Sequence, residues 1–212
     1  TLNLEPSILN PIDCPQWNES LLSLSKHSFF HTVSWAEVLK KSYSYKPVYF
    51  TLWEQESMKS LIPVMEVTSI LTGKRGVSLP FTDYCDPIVS DAAQFQEMFD
   101  SIIAYGKKRN WKYLEFRGGE AFLQNQHPSA IYYGHSINLA QGSQEVFTKL
   151  RDSTRRNIKK AEKENTDITI STSLDSLKEF YRLNAITRRD HGLPPQPYFF
   201  FKKNQILFTR NV

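Results

Sequence analysis

Cysteine is scarce in this 212-residue chain: Cys14 and Cys85 are the only two, and they form no CxxC pair. A disulfide framework is thereby excluded, and both are expected as free thiols in a reducing compartment. Long apolar runs are missing as well. No stretch reaches the ~18 residues needed to span a bilayer. No secretory signal peptide is visible, so the chain reads as cytoplasmic. It opens on Thr1 rather than Met, and part of the natural N-terminus is expected to be missing. The motifs GxSxG, HExxH, GxGxxG and the Walker loop do not occur. The five histidines are scattered, with no His/Cys/Asp group at metal-ligand spacing, so no metal site is expected. There is no low-complexity tract and no short repeat.

What is present is an ordinary globular composition, 40% hydrophobic and 23% charged. A chain of this length buries about 70% of the surface its unfolded form exposes, enough for one large domain or for one domain and part of another. Fourteen Phe, ten Tyr and four Trp supply most of the core volume. The net charge of +4 is compatible with an anionic partner without demanding one.

Periodicity places helices over 16–27, around 33–43 with Thr32 or Ser34 as cap, and over 91–109. The last carries Phe95, Met98, Phe99, Ile102, Ile103 and Tyr105 on one face, with Asp91 at its start and Lys107, Lys108 and Arg109 at its end. Strands are expected at 47–54 and 59–70, with a third starting at 77; these form an antiparallel meander. Further strands are expected at 111–117, 132–139 and 167–171, and further helices at 143–165, 174–190 and from 198 on. Gly192 is expected at positive φ, ending the helix before Pro194 and Pro195. The order of elements is that of an α/β protein with a mixed sheet (α+β in layering). It restarts after residue 131 with a second paired-helix prelude.

Four segments together resemble the FemAB-like proteins with the GNAT (acyl-CoA N-acyltransferase) fold: FFHTVSWAEVLKKSY (29–43), SLPFTDYCDP (78–87), LRDSTRRNIKKAEKEN (150–165) and FYRLNAITRRDHGLPPQP (180–197). The resemblance covers about residues 25–205, and its last two segments are the specific ones. It implies two GNAT-like domains in tandem: a first over 1–131 and the N-terminal part of a second, truncated one over 132–212. It also implies acyl or aminoacyl transfer to an amine of a peptidoglycan or exopolysaccharide precursor, with acyl-CoA or aminoacyl-tRNA as donor substrate. Members of the family are longer, so this chain is expected to be a fragment lacking the second domain's central sheet and, with it, activity.

The most distinctive local chemistry is the basic helix. Residues 151–163 hold six basic residues against two acidic ones, and Arg151, Arg155, Lys159 and Lys163 recur every fourth position in one stripe. The opposite face carries Phe147, Leu150, Ile158 and Ala161. Arg155, Arg156 and Lys159 are candidate ligands for a phosphate of a glycan or cell-wall precursor or of tRNA; a solvated face explains them equally well. Arg188, Arg189 and His191 are candidates for the acceptor cleft, with His191 as general base or, alternatively, as a helix-capping residue. Asp83, as a second candidate catalytic group, and Tyr84 follow a strand end, where a plain turn is the alternative reading; Trp35 and Tyr43 are candidate walls of the same groove, with core packing as the alternative. Arg189-x-x-Gly192-x-Pro194 approximates a coenzyme A pyrophosphate loop, but Pro194 has no N–H to donate and the segment follows a helix instead of opening one, so it gives coenzyme A no support. No cofactor is assigned. A non-catalytic glycan- or phosphate-binding module, and a nucleic-acid binder using helix 151–163, are the alternative readings.

Overall fold

The computed structural model describes residues 5–82 and 84–210. The chain divides into two compact units. One comprises residues 1–125 and 173–212, the other 126–172.

In the first unit a short strand β1 (Ser7–Leu9) is followed by helices α1 (Trp17–Leu21) and α2 (Val33–Tyr43). Thr32 caps α2 by accepting the Trp35 N–H. Then come β2 (Lys46–Pro47), β3 (Tyr49–Glu54), β4 (Ser57–Ile62), β5 (Met65–Ser69) and β6 (Gly73–Val77). These six strands, β1 to β6, pair antiparallel in two sheets, in the orders β1-β3-β4 and β2-β5-β6. The strand expected over 59–70 is thus two strands. Pro63 breaks it, because proline has no N–H to give to a ladder. The register is nevertheless continuous: Phe50 faces Ile62, Pro47 faces Met65, and Val48 N–H donates to Val64 O between them at 2.8 Å.

Helix α3 (Ala92–Lys108) follows, capped by Asp91, whose carboxylate accepts the Gln94 N–H. It leads into β7 (Leu114–Glu115), which lies parallel to β6. Residues 111–117 contribute only this short strand. Alternation along β3 builds two cores, one on each face. Tyr49 joins Trp17, Trp35, Leu39 and Met58 under α1 and α2. Phe50 and Leu52 join Phe95, Met98 and Ile102 of α3. Helices α6 (Leu174–Asp190) and α7 (Tyr198–Arg210) belong to this unit, and α7 packs on α2.

A polar knot fastens α3 to the sheet. The Glu66 carboxylate is almost fully buried. Arg109 grips it at both oxygens (2.9 and 3.1 Å), and Trp111 Nε1–H donates to it at 2.8 Å. The Arg109 hydrogen bonds hold the carboxyl below its ordinary range, against the opposing effect of burial. Arg109→Met leaves that charge unpaired. Breaking a buried pair costs about 3–5 kcal/mol. The Arg109 side chain is 37% exposed, so solvent screening makes the expected loss smaller than that; urea unfolding measures it.

The second unit holds α4 (Ser143–Lys149) and α5 (Asp152–Lys163). None of its residues is buried. The stretches 132–139 and 167–171, expected as strands, form none: the described residues offer them no neighbouring strand, and an isolated strand leaves its ladder groups unpaired.

Candidate functional site

In open sheets, ligands settle in the crevice beyond the carboxyl ends of parallel strands. Here β6 and β7 are the parallel pair, with Gly76 facing Leu114 and Val77 facing Glu115. The ladder runs one step past the strands through Ser78 N–H to Glu115 O (2.9 Å). Arg117 N–H then donates to the Ser78 hydroxyl oxygen at 2.7 Å. Both chains turn away at this point. The β6 side does so through Leu79 at φ 50° and Phe81 at φ 63°, on either side of Pro80. Two bulky residues in the left-handed region within three positions are costly, and such strain concentrates at functional sites. The β7 side turns through Gly118 and Gly119, at φ 80° and 74°.

Asp86 ties the two turns together. One carboxylate oxygen accepts the Gly119 N–H at 2.7 Å, and the other accepts the Tyr84 hydroxyl. A Cβ at Gly118 would lie 2.7 Å from that first oxygen, so glycine is needed there for space as well as for φ. The Asp86 carboxylate pushes the Tyr84 phenol up to about 12. Arg117 donates to Glu115 at 2.7 Å and to Thr82 O at 3.1 Å, and Thr82 in turn donates to Leu79 O at 2.8 Å. Beside these turns stands an aromatic wall: Phe81 stacks on Tyr43 at 4.7 Å, and Tyr43 stacks on Tyr45 at 5.3 Å. Phe200 of α7 closes on Phe81 at 5.3 Å. Burial, with Tyr45 adjoining, raises the Tyr43 phenol to about 12. The site is a rigid rim carrying one guanidinium, two carboxylates and a face for stacking. It suits orienting a substrate better than attacking one covalently.

The thiol closest to this rim is inert. Cys85 is buried, and burial raises it to about 12. Its Sγ lies 3.8 Å from His31 Nε2, but burial lowers the His31 imidazole to about 4. A neutral thiol beside a neutral imidazole is core packing, not a nucleophile and its base. Both cysteines are free. Among the described residues no group of His, Cys, Asp and Glu is arranged to hold a metal. Among the described residues no helix is long and apolar enough to cross a membrane.

Of the residues singled out in the sequence, Tyr84 and Tyr43 stand beside these turns, and Asp83 lies outside the described residues. Trp35 is 5% exposed and sits in the core against Phe29, Phe30 and Phe200. It supports the wall from behind and does not line a groove. His191 is the exposed C-cap of α6, with Gly192 after it at φ 69°. Leu193 N–H reaches Arg188 O and Gly192 N–H reaches Arg189 O, the paired bonds of a Schellman stop. The Arg188 guanidinium donates to Pro194 O at 2.7 Å, clamping the same turn. Arg189 borders an open hollow with Tyr181, Ile186, Leu193 and Pro195. In the second unit, Arg155 pairs with Asp152 and Lys160 with Glu164. Arg151, Arg156, Lys159 and Lys163 have no carboxylate partner among the described residues. Asp86 and Arg117 were missed in the sequence. The available signals were the Asp before the final Pro of SLPFTDYCDP and the Arg-Gly-Gly that closes the predicted strand.

No family model and no curated protein matches the sequence. Among solved structures, a ribosomal-protein-alanine N-acetyltransferase from Brucella melitensis biovar Abortus 2308 aligns at TM-score 0.39 and 12% identity, over 64% of this chain and 98% of its own. FemX aligns at TM-score 0.65 and 14% identity over 94% of this chain, which spans about half of FemX (54%). The chain therefore has a mixed α/β fold shared with FemX.

Proposed function

We propose that this chain is part of a FemX-like acyltransferase that moves an acyl or aminoacyl group to an amine of a cell-envelope glycan or peptidoglycan precursor. The observation that carries the reading is the FemX-like fold across 94% of the chain, coinciding with the four FemAB-like sequence segments. The crevice beyond β6 and β7 is the reaction site in this reading. The amine nitrogen bonds to the donor's carbonyl carbon, the carbonyl's bond to its oxygen or sulfur leaving group breaks, and the amine proton passes to solvent or to that leaving group. Such chemistry needs orientation and charge stabilisation more than a covalent intermediate. Phe81 and Tyr43 supply the stacking face, and Arg117 supplies the cation. In the second unit, taken by itself, the unpaired cations Arg156 and Lys159 of α5 offer a surface for phosphate groups.

The division at residue 131 belongs to the same proposal, with residues 132–212 as the opening part of a second GNAT-like domain. Exposure of Tyr132, Tyr133, Ile137, Leu139, Ile168 and Ile170 supports it, because these β-rich stretches carry apolar side chains with nothing over them.

Calorimetric titration of the protein with acetyl-CoA, aminoacyl-tRNA and a lipid-linked glycan precursor tests the reading. One donor is expected to bind, and Arg117→Met is expected to weaken it about ten-fold or more, the value of a hydrogen bond to a charged group. An unchanged melting temperature of the variant would show that its fold is intact. Precursor binding with neither donor bound would replace the enzyme with a binding module.

A further inference from the structure

The tip of the β5–β6 hairpin departs from what turns are made of. Tight turns are built from Gly, Asn, Asp, Ser and Pro, yet this one presents Ile70 at 104% and Leu71 at 92% exposure, two of the three highest values among the large apolar residues described. The backbone of the tip is already satisfied from within: the Ser69 hydroxyl oxygen accepts the N–H groups of both Leu71 and Thr72 at 3.3 Å. Moving this tip into a medium poor in water therefore leaves fewer backbone donors stranded.

Around the tip the charge has one sign. Lys74 and Arg75 begin β6, and Arg75 donates to Thr72 Oγ1 at 2.8 Å. The α3–β7 turn is fastened to the same end of the sheet by Lys112 N–H to Lys74 O at 2.9 Å. That turn brings Lys107, Lys108 and Lys112, and the Lys112 side chain lies over Gly73. No acidic residue occurs in 67–76 or in 101–114. The nearest carboxylate by strand position, Glu66, is occupied by Arg109. Two bare aliphatic side chains at a sheet end whose neighbouring segments carry cations and no carboxylate match one surface chemically: an anionic lipid bilayer, which takes apolar groups below its headgroups and cations at them. A nucleic-acid backbone would use the lysines but gains nothing from Ile70 and Leu71.

We propose that this hairpin is a peripheral membrane anchor, with Ile70 and Leu71 inserting into an anionic bilayer and Lys74, Arg75, Lys107, Lys108 and Lys112 holding its headgroups. The anchor does not rest on the acyl-transfer reading, because Ile70, Leu71 and the lysines have no part in it.

Co-sedimentation of the protein with vesicles of phosphatidylcholine, alone or mixed with phosphatidylglycerol, is the test. Binding to the mixed vesicles only is expected. The double variant Lys74→Gln/Lys108→Gln should bind about twenty-five-fold more weakly, at roughly five-fold per cation. Ile70→Ser/Leu71→Ser should lose on the order of ten-fold with its melting curve unchanged, since both side chains are fully exposed. Wild-type protein that ignores anionic vesicles overturns the proposal. So does an Ile70→Ser/Leu71→Ser variant that binds them undiminished. Total tRNA bound in preference to vesicles, with only the lysine variant affected, would make the patch a nucleic-acid surface instead.

Discussion

Gly76→Ala is expected to destabilise the protein by about 3–5 kcal/mol, an unusual cost for one methyl group. The reason is Trp111. Its ring is wedged between β6 and α3: a Cβ added at Gly76 would lie 2.3 Å from it, and one added at Gly106 would lie 2.7 Å from it. Two glycines on two elements thus form the slot for one indole. That indole also spends its N–H on the buried Glu66 carboxylate. Overpacking alone costs about 1–3 kcal/mol. Displacing the ring also breaks a hydrogen bond to a charged group, about 1.5–3 kcal/mol more. A double-mutant cycle separates this account from a simple loss of glycine flexibility. In a Trp111→Leu background the same Gly76→Ala change should cost less than 1 kcal/mol, because the obstacle is gone. Equal cost in both backgrounds would mean that the indole is not what Gly76 makes room for. Urea unfolding of the four proteins supplies the numbers.

The slot illustrates what the sequence discloses and what it withholds. The apolar stripe of α3 was legible because helical periodicity needs only its own residues, and Phe95, Met98 and Ile102 are buried on one face. Gly192 before a proline pair was legible for the same reason: the stop is local chemistry. The helix expected over 16–27 ends as a helix at Leu21, because Ser23 turns its hydroxyl to Ser20 O and Met58 O, and the second partner lies on a distant strand. β1 escaped notice because a three-residue strand has no period, and only β3 holds it in place. The failed strands at 132–139 and 167–171 have strand-like residues but no neighbour among those described. At the candidate site, Tyr84 could be picked from its place after a strand. Asp86 could not, since its role depends on two glycines 32 and 33 positions away meeting its carboxylate. Residue type alone left Trp35 open between groove wall and core, and burial decides for the core once α7 is in place.

Stability should fall by about 3 kcal/mol between pH 6.5 and pH 4 on account of a single side chain, His31. The imidazole is 3% exposed under the SLPFTDYCDP segment. Burial is the main cause of its fall from 6.5 to about 4; His27 adds to it, and bonds with the backbone of Ser28 and Asp86 oppose it. Nδ1 accepts the Ser28 N–H at 3.0 Å, so Nε2 carries the proton and faces Cys85, whose thiol is raised to about 12 and offers no compensating charge. The sign follows from which state takes up the proton first. As pH falls, the unfolded chain protonates at 6.5 while the folded one waits until about 4. Acid therefore favours unfolding throughout that window, and below it the two states are protonated alike and the loss stops growing. The gap between those two values sets the size, at about 1.4 kcal/mol for each tenfold difference in proton affinity. Glu66 also loses stability in acid, but its folded carboxyl is held below 4.5, so its contribution falls at the acid end of the range. His31→Gln keeps an acceptor for the Ser28 N–H and cannot titrate. Denaturant unfolding measured from pH 7.5 downward should show a flatter curve for this variant between 6.5 and 4.5. A curve running parallel to that of the wild type would assign the acid sensitivity to another group and remove the argument that His31 stays neutral beneath the site.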